Sequence, residues 1–132
     1  MSNHTVVNLR EVPNLAEQHG LSPDLEARFA SGALELAESG LSYQKLAPSF
    51  RVPWGHKHAQ QEEIYVVLAG SGTFNLDGEL VELGHLDAIR VPPEVPRGIE
   101  AGPDGMEILA YGAPRSGESA ANDAEMLPGW WG

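Results

Sequence analysis

Cysteine is absent from the 132 residues, which excludes a disulfide framework, a thiolate nucleophile and any cysteine-ligated metal cluster. Positive charge is scarce. Eight Lys and Arg stand against nineteen Asp and Glu, a formal net charge of −11. So acidic a surface repels phosphate backbones and anionic lipid, so neither nucleic acid nor a membrane is an expected partner. No apolar run approaches the ~20 residues that a membrane-spanning helix needs. Residues 1–9 lack the basic and apolar regions of a secretory signal, and the expected location is therefore cytoplasmic.

What is present suits one soluble domain. The length falls within the range of about 100–200 residues per domain, and 42% apolar residues supply a core. The 15 glycines and 10 prolines punctuate short apolar runs instead of gathering in a linker. That spacing marks an all-β domain of many short strands.

The first 40 residues read as an arm carrying one short helix. Ser22-Pro23-Asp24 has the chemistry of a helix start: an N-cap hydroxyl, a proline in the first turn and an acid at the positive end of the dipole. Leu25 and Phe29 would share one helical face, and Ser31-Gly32 would end it. Residues 34–38 are a candidate edge strand. Further strands are expected over 42–47, 63–68, 72–77, 79–83, 87–91, 97–101 and 106–111. Asp77-Gly78 between two apolar stretches predicts a type I′ hairpin. Gly70-Ser71-Gly72 and Gly102-Pro103-Asp104-Gly105 read as turns, and Pro92, Pro93 and Pro96 belong at strand ends or in loops. Such a set of strands closes into a sandwich or a small barrel. Residues 112–129 show no periodicity and read as an extended tail. At its end Trp130 and Trp131 are expected to pack on the domain or on a partner subunit.

One segment carries chemistry. In His56-Lys57-His58 an extended backbone turns both imidazoles to one side and the lysine to the other. Carboxylates follow after a short turn. Glu62 and Glu63 compete as the third member, and Glu63 is favoured because it shares strand parity with Tyr65 and Val67. Two imidazoles and one carboxylate on adjacent strands form a set that holds a divalent first-row metal with coordination positions left open. Tyr65 would line the same cavity. His4 and His19 in the arm and His85 in a turn read as solvated. Gly70-Ser71-Gly72 lacks the context of a nucleotide-binding loop.

The segment resembles the first motif of the cupin superfamily, the RmlC-like β-barrels. That motif runs glycine, five residues, His-x-His, three or four residues, Glu, six residues, Gly. His56, His58, Glu63 and Gly70 all fall in register, and Phe50 replaces the leading glycine. The resemblance covers residues 41–111. The second motif departs from the family: Pro92 is kept, but Leu86, Glu94, Arg97 and Ala101 stand at its other anchors. Arg97 occupies the position of the last metal-binding histidine, and an arginine cannot ligate a metal.

The resemblance implies an antiparallel, jelly-roll-type cupin barrel over 41–111, flanked by the arm (1–40) and the tail (112–132), and a homodimer. It also implies a divalent transition metal (Mn, Fe, Ni, Zn or Cu) on His56, His58 and Glu63. Arg97 leaves three outcomes. The metal binds three protein ligands with Arg97 turned aside or paired to Glu94 or an anion; or Arg97 holds a substrate carboxylate or phosphate beside the metal; or the metal is lost and a plain ligand pocket remains. The expected ligand is a small, anionic organic molecule bound by Arg97 and Tyr65. Five cations against seven acids make residues 45–97 the least negative part of the chain. A metal-dependent enzyme of oxygenase or isomerase type is the leading reading, with no catalytic residue assigned. A non-catalytic ligand-binding or sensor protein is the alternative, followed by a structural dimer with a vestigial pocket.

Overall fold

The computed structural model describes residues 3–115 and 123–131, so part of the expected tail, 116–122, lies outside the described residues. Among the described residues eight strands appear in chain order: β1 (Leu25–Phe29), β2 (Gly40–Leu46), β3 (Trp54–His58), β4 (Glu62–Leu76), β5 (Glu79–Leu83), β6 (Ala88–Val91), β7 (Arg97–Ala113) and β8 (Ala124–Pro128). Every pairing between them is antiparallel.

The long strands β4 and β7 serve two half-sheets at once. Residues 62–67 of β4 pair with 108–113 of β7 and with β6, while β7 continues through β2 to β1. Farther along, residues 72–76 of β4 pair with 97–101 of β7 and with β5. The start of β7 also meets β3, through His56 opposite Arg97, and β3 pairs with β8. Between the halves the register shifts at Val67/Ala69 and again at Gly70/Gly72. Extra residues at such bulges bend a strand and raise its twist, and here they let one pair of strands turn the corner between sheets. Gly70 supplies the positive φ of 74°, a conformation costly for any residue with a Cβ.

The inner faces of both halves meet in one core. Leu25, Leu46, Tyr65, Val67, Val91, Met106 and Ile108 come from one side, and Phe74, Ile99 and Ala101 from the other, all 5% exposed or less. The alternation expected of half-buried strands is plain in β4, where Tyr65 and Val67 are buried and Ile64 and Glu62 are exposed. The chain is thus an all-β, antiparallel, barrel-like fold.

The Asp77-Gly78 turn joins β4 to β5 with two residues of positive φ, 52° and 97°, as a type I′ hairpin requires. Three expectations need correction. No helix follows Ser22. Leu25–Phe29 is strand β1, registered on β2 from Leu25↔Leu46 to Phe29↔Ser42. A four-residue spacing places Leu25 and Phe29 on one face of a strand as well as of a helix, and Leu-Glu-Ala-Arg-Phe alternates with period two. The helical turns are two short 3-10 segments, Leu9–Glu11 and Leu15–His19. The edge strand proposed over 34–38 is absent, since backbone bonds from Leu34 to Ala30 and from Leu36 to Ser31 fold that stretch into tight turns. Neither expected glycine turn ends a strand: Gly70-Ser71-Gly72 lies inside β4, and Gly102-Pro103-Asp104-Gly105 lies inside β7, where four residues bulge opposite Ser71 alone. The strand β8 comes from a stretch whose sequence carries no alternation. No helix among the described residues is long and apolar enough to cross a membrane.

Candidate metal centre

Strand β3 turns His56 and His58 to the same side, with their ring centroids 5.2 Å apart and nearly perpendicular. Lys57 points away and lies 4.0 Å from Glu125. Glu63 enters from β4, directly opposite Val91 on β6 and Gly112 on β7. One ligand atom from each of His56, His58 and Glu63 lies within 4.8 Å of the others. Glu62, the competing acid, faces solvent and pairs with Arg90 at 3.4 Å. Strand parity alone separates the two acids.

Four polar groups converge on a single oxygen, Glu63 Oε1. The Tyr65 hydroxyl donates to it at 2.6 Å and Arg97 Nη1 at 2.7 Å. His56 Nε2 is 3.3 Å away and His58 Nε2 3.2 Å. Burial raises the pKa of this carboxyl, but the contacts from His56 and Tyr65 outweigh it and hold the group well below the usual carboxylate range. Glu63 is therefore an anion. Burial, followed by the charge of Glu63, pushes the Tyr65 hydroxyl well above its ordinary value, so Tyr65 is a donor and not a phenolate.

Arg97 is 0% exposed. Its Nε donates to the Val95 carbonyl at 3.0 Å, and Nη2 to those of Pro92 at 2.6 Å, Val95 at 2.9 Å and Pro93 at 3.3 Å. Pro92-Pro93-Glu94-Val95 thus forms a carbonyl cradle, and Nη1 is the edge of the guanidinium that reaches the site. Its carboxylate partner is Glu63, not Glu94.

A residue that the sequence did not single out completes the arrangement. Asp123, just before β8, accepts from His58 Nδ1 at 2.9 Å. It also accepts from the backbone N–H groups of Gln60 at 2.9 Å and Gln61 at 3.1 Å. Burial raises its pKa, but those two amides and His58 lower it further, leaving the carboxyl below its ordinary value. With the proton of His58 on Nδ1, its Nε2 carries a lone pair. That Nε2 is buried and has no hydrogen-bond partner. An orphaned buried acceptor facing a carboxylate oxygen is unfavourable unless a cation or a proton lies between them.

The donor set therefore fits a divalent metal. Nitrogen and carboxylate oxygen suit first-row transition metals, and a carboxylate behind a ligating histidine is their common support. The charges agree as well: Glu63 and Asp123 against Arg97 leave one net negative charge for a dication to meet. Asp123 lies 65 residues from His58 in the chain, and nothing local in its polar segment marks it.

Residues 42–110 match the family described as "Cupin domain". A cupin protein (BF4112) from Bacteroides fragilis is 26% identical with a TM-score of 0.72, over 90% of this chain and 91% of that one. Oxalate decarboxylase from Bacillus subtilis is 21% identical with a TM-score of 0.77; the match takes in 96% of this chain but 32% of the larger protein. The uncharacterized protein MJ1618 of Methanocaldococcus jannaschii is 47% identical over 45 residues, which is 34% of this chain and 36% of that relative's length. The family match covers more than half of the chain, including every ligand candidate and all of β4, and the protein belongs to the cupin family.

Proposed function

We propose that the protein binds one divalent transition metal through His56, His58 and Glu63, and a small anionic organic molecule beside it, as a metal-dependent enzyme. The observation that carries this reading is the lone pair of His58 Nε2, buried, unpartnered and held toward an ionised carboxylate. When bound, the metal would supply Lewis-acid polarisation of a ligand oxygen at open coordination positions. The chain's own residues set the rest. Arg97 Nη1 and the Tyr65 hydroxyl hold Glu63 in one orientation, and the second N–H of Nη1 is left to take a ligand. A carboxylate or phosphate on the ligand suits the arginine edge. The similarity to a protein named oxalate decarboxylase agrees with a small anion but does not select a reaction.

Arg97 also favours a second reading. It neutralises Glu63 without any metal, as a cupin binding its ligand without metal would require. Elemental analysis of the purified protein, before and after reconstitution with Mn, Fe, Ni, Zn or Cu, separates the two. About one equivalent of metal is expected, falling to background in His56→Ala and His58→Ala. Less than about a tenth of an equivalent after reconstitution, where a filled site holds one, would leave the metal-free reading.

A further inference from the structure

The C-terminal segment is fastened at both ends to the strand that carries the two histidines. β8 pairs along all of β3, from Trp54↔Pro128 to His58↔Ala124. At the His58 end, the side chain of Asp123 is 5% exposed and takes three N–H donors, from His58, Gln60 and Gln61. Its own carbonyl accepts from the Ala59 N–H at 3.0 Å. At the other end, Trp130 covers Gly55 and Gly98 so closely that a Cβ on either would fall 2.7 or 2.3 Å from the indole. Trp131 Nε1 donates to the Val52 carbonyl at 2.8 Å, and the Arg51 guanidinium lies 4.3 Å from the Trp131 ring centre. The three tryptophans of the chain, at 54, 130 and 131, all lie along this seam.

Resting on the metal reading above, we propose that Asp123 is a positioning residue for the metal centre, and that docking of the 123–131 strap and occupancy of the site stabilise each other. Asp123 keeps the His58 proton on Nδ1, which leaves Nε2 free to ligate and makes it more basic. A dication on Nε2 draws electron density from the ring and strengthens the Nδ1–H as a donor. The bond to Asp123 tightens, and with it the clamp on the Ala59–Gln61 turn that joins both histidines to Glu63. Coupling between two binding events is reciprocal, so whatever loosens the strap must weaken the metal.

Zinc serves as the probe. In Asp123→Asn the amide can donate to Nδ1, which moves the ring proton to Nε2 and blocks ligation. Zinc affinity, measured by chelator competition, is expected to fall about 10–100-fold, the usual loss for a support behind a ligating histidine. Tryptophan emission should remain that of a docked strap, while the ¹⁵N shifts of His58 report the changed tautomer; a merely structural residue would not move them. Trp130→Ala, at the opposite end of the strap from Asp123, should also weaken zinc. In the wild-type protein, zinc should slow hydrogen exchange at the β8 amides, a measurement that needs no variant to fold. A zinc-loaded wild type whose β8 exchange is unchanged, or an Asp123→Asn protein that binds zinc as tightly, overturns the coupling and leaves the metal site standing. A wild type that takes up no zinc or other divalent metal overturns both.

Discussion

Glu63 shows how much one atom can organise. A buried carboxylate is tolerable only when charge and hydrogen bonds compensate its desolvation, and here two strong donors, Tyr65 and Arg97, share one oxygen with His56 close by. Tyr65→Phe removes a 2.6 Å bond to that anion at a position 1% exposed, without changing shape. Hydrogen bonds to charged groups contribute about 1.5–3 kcal/mol, and a loss of that size is expected in urea unfolding at neutral pH. The tyrosines also give a pH signature. Burial raises the pKa of Tyr43, aided by its bond to Glu107, and burial likewise raises that of Tyr65. The folded protein therefore holds these protons more tightly than the unfolded chain, whose phenols ionise near 10. Absorbance at 295 nm should show less phenolate in the folded than in the urea-unfolded protein above that pH. Stability should fall as pH rises past 10, because only the unfolded state is then losing these protons.

Among the elements, the bulged strands are the most sensitive. A Cβ on Gly70 would lie 2.1 Å from the Gly105 carbonyl oxygen, in a backbone of positive φ, and neither strand can yield without breaking the corner between half-sheets. Gly70→Ala is expected to cost more than about 3 kcal/mol, in the range of severe backbone strain. Gly78→Ala, at the hairpin tip with nothing within 4 Å, should cost about 1 kcal/mol through its positive φ alone. Paired urea denaturation curves check the contrast; equal losses would mean that the bulge is not the constraint. Legibility followed the same division. The hairpin was readable because Asp-Gly encodes its turn locally, and β5 because its ends are turns. β1 was misread because five residues fit two periods, and its pairing with β2 settled which one holds. Strand β8 has no pattern of its own and exists as a strand because β3 offers it a free edge.

For the whole molecule, the two buried carboxylates set the response to acid. Glu63 and Asp123 are both held below their ordinary values of 4.5 and 3.8, so the unfolded chain takes up these protons at higher pH than the fold does. Wherever the unfolded state binds more protons, stability rises with pH. The urea midpoint of the metal-free protein should therefore be steady above about pH 5 and fall progressively below 4.5. His58 and the turn it anchors would loosen together, and acid should release β8 from β3 before the core strands separate. A midpoint flat from pH 6 to 3 would show that neither carboxylate is held as described.

The sequence by itself determined the spacing of His56, His58 and Glu63, the parity that turns them inward, the hairpin at Asp77-Gly78 and the replacement of a histidine by Arg97. These are properties of neighbours along a strand, written in periods of two and in turn chemistry. Only the tertiary structure decided that Arg97 lies in a cradle of proline-loop carbonyls with one edge on Glu63, that Asp123 holds His58 from 65 residues away, and that the terminal tryptophans close over Gly55 and Gly98. Each of those contacts depends on where the path of the chain brings distant segments, and a local pattern carries no record of that path.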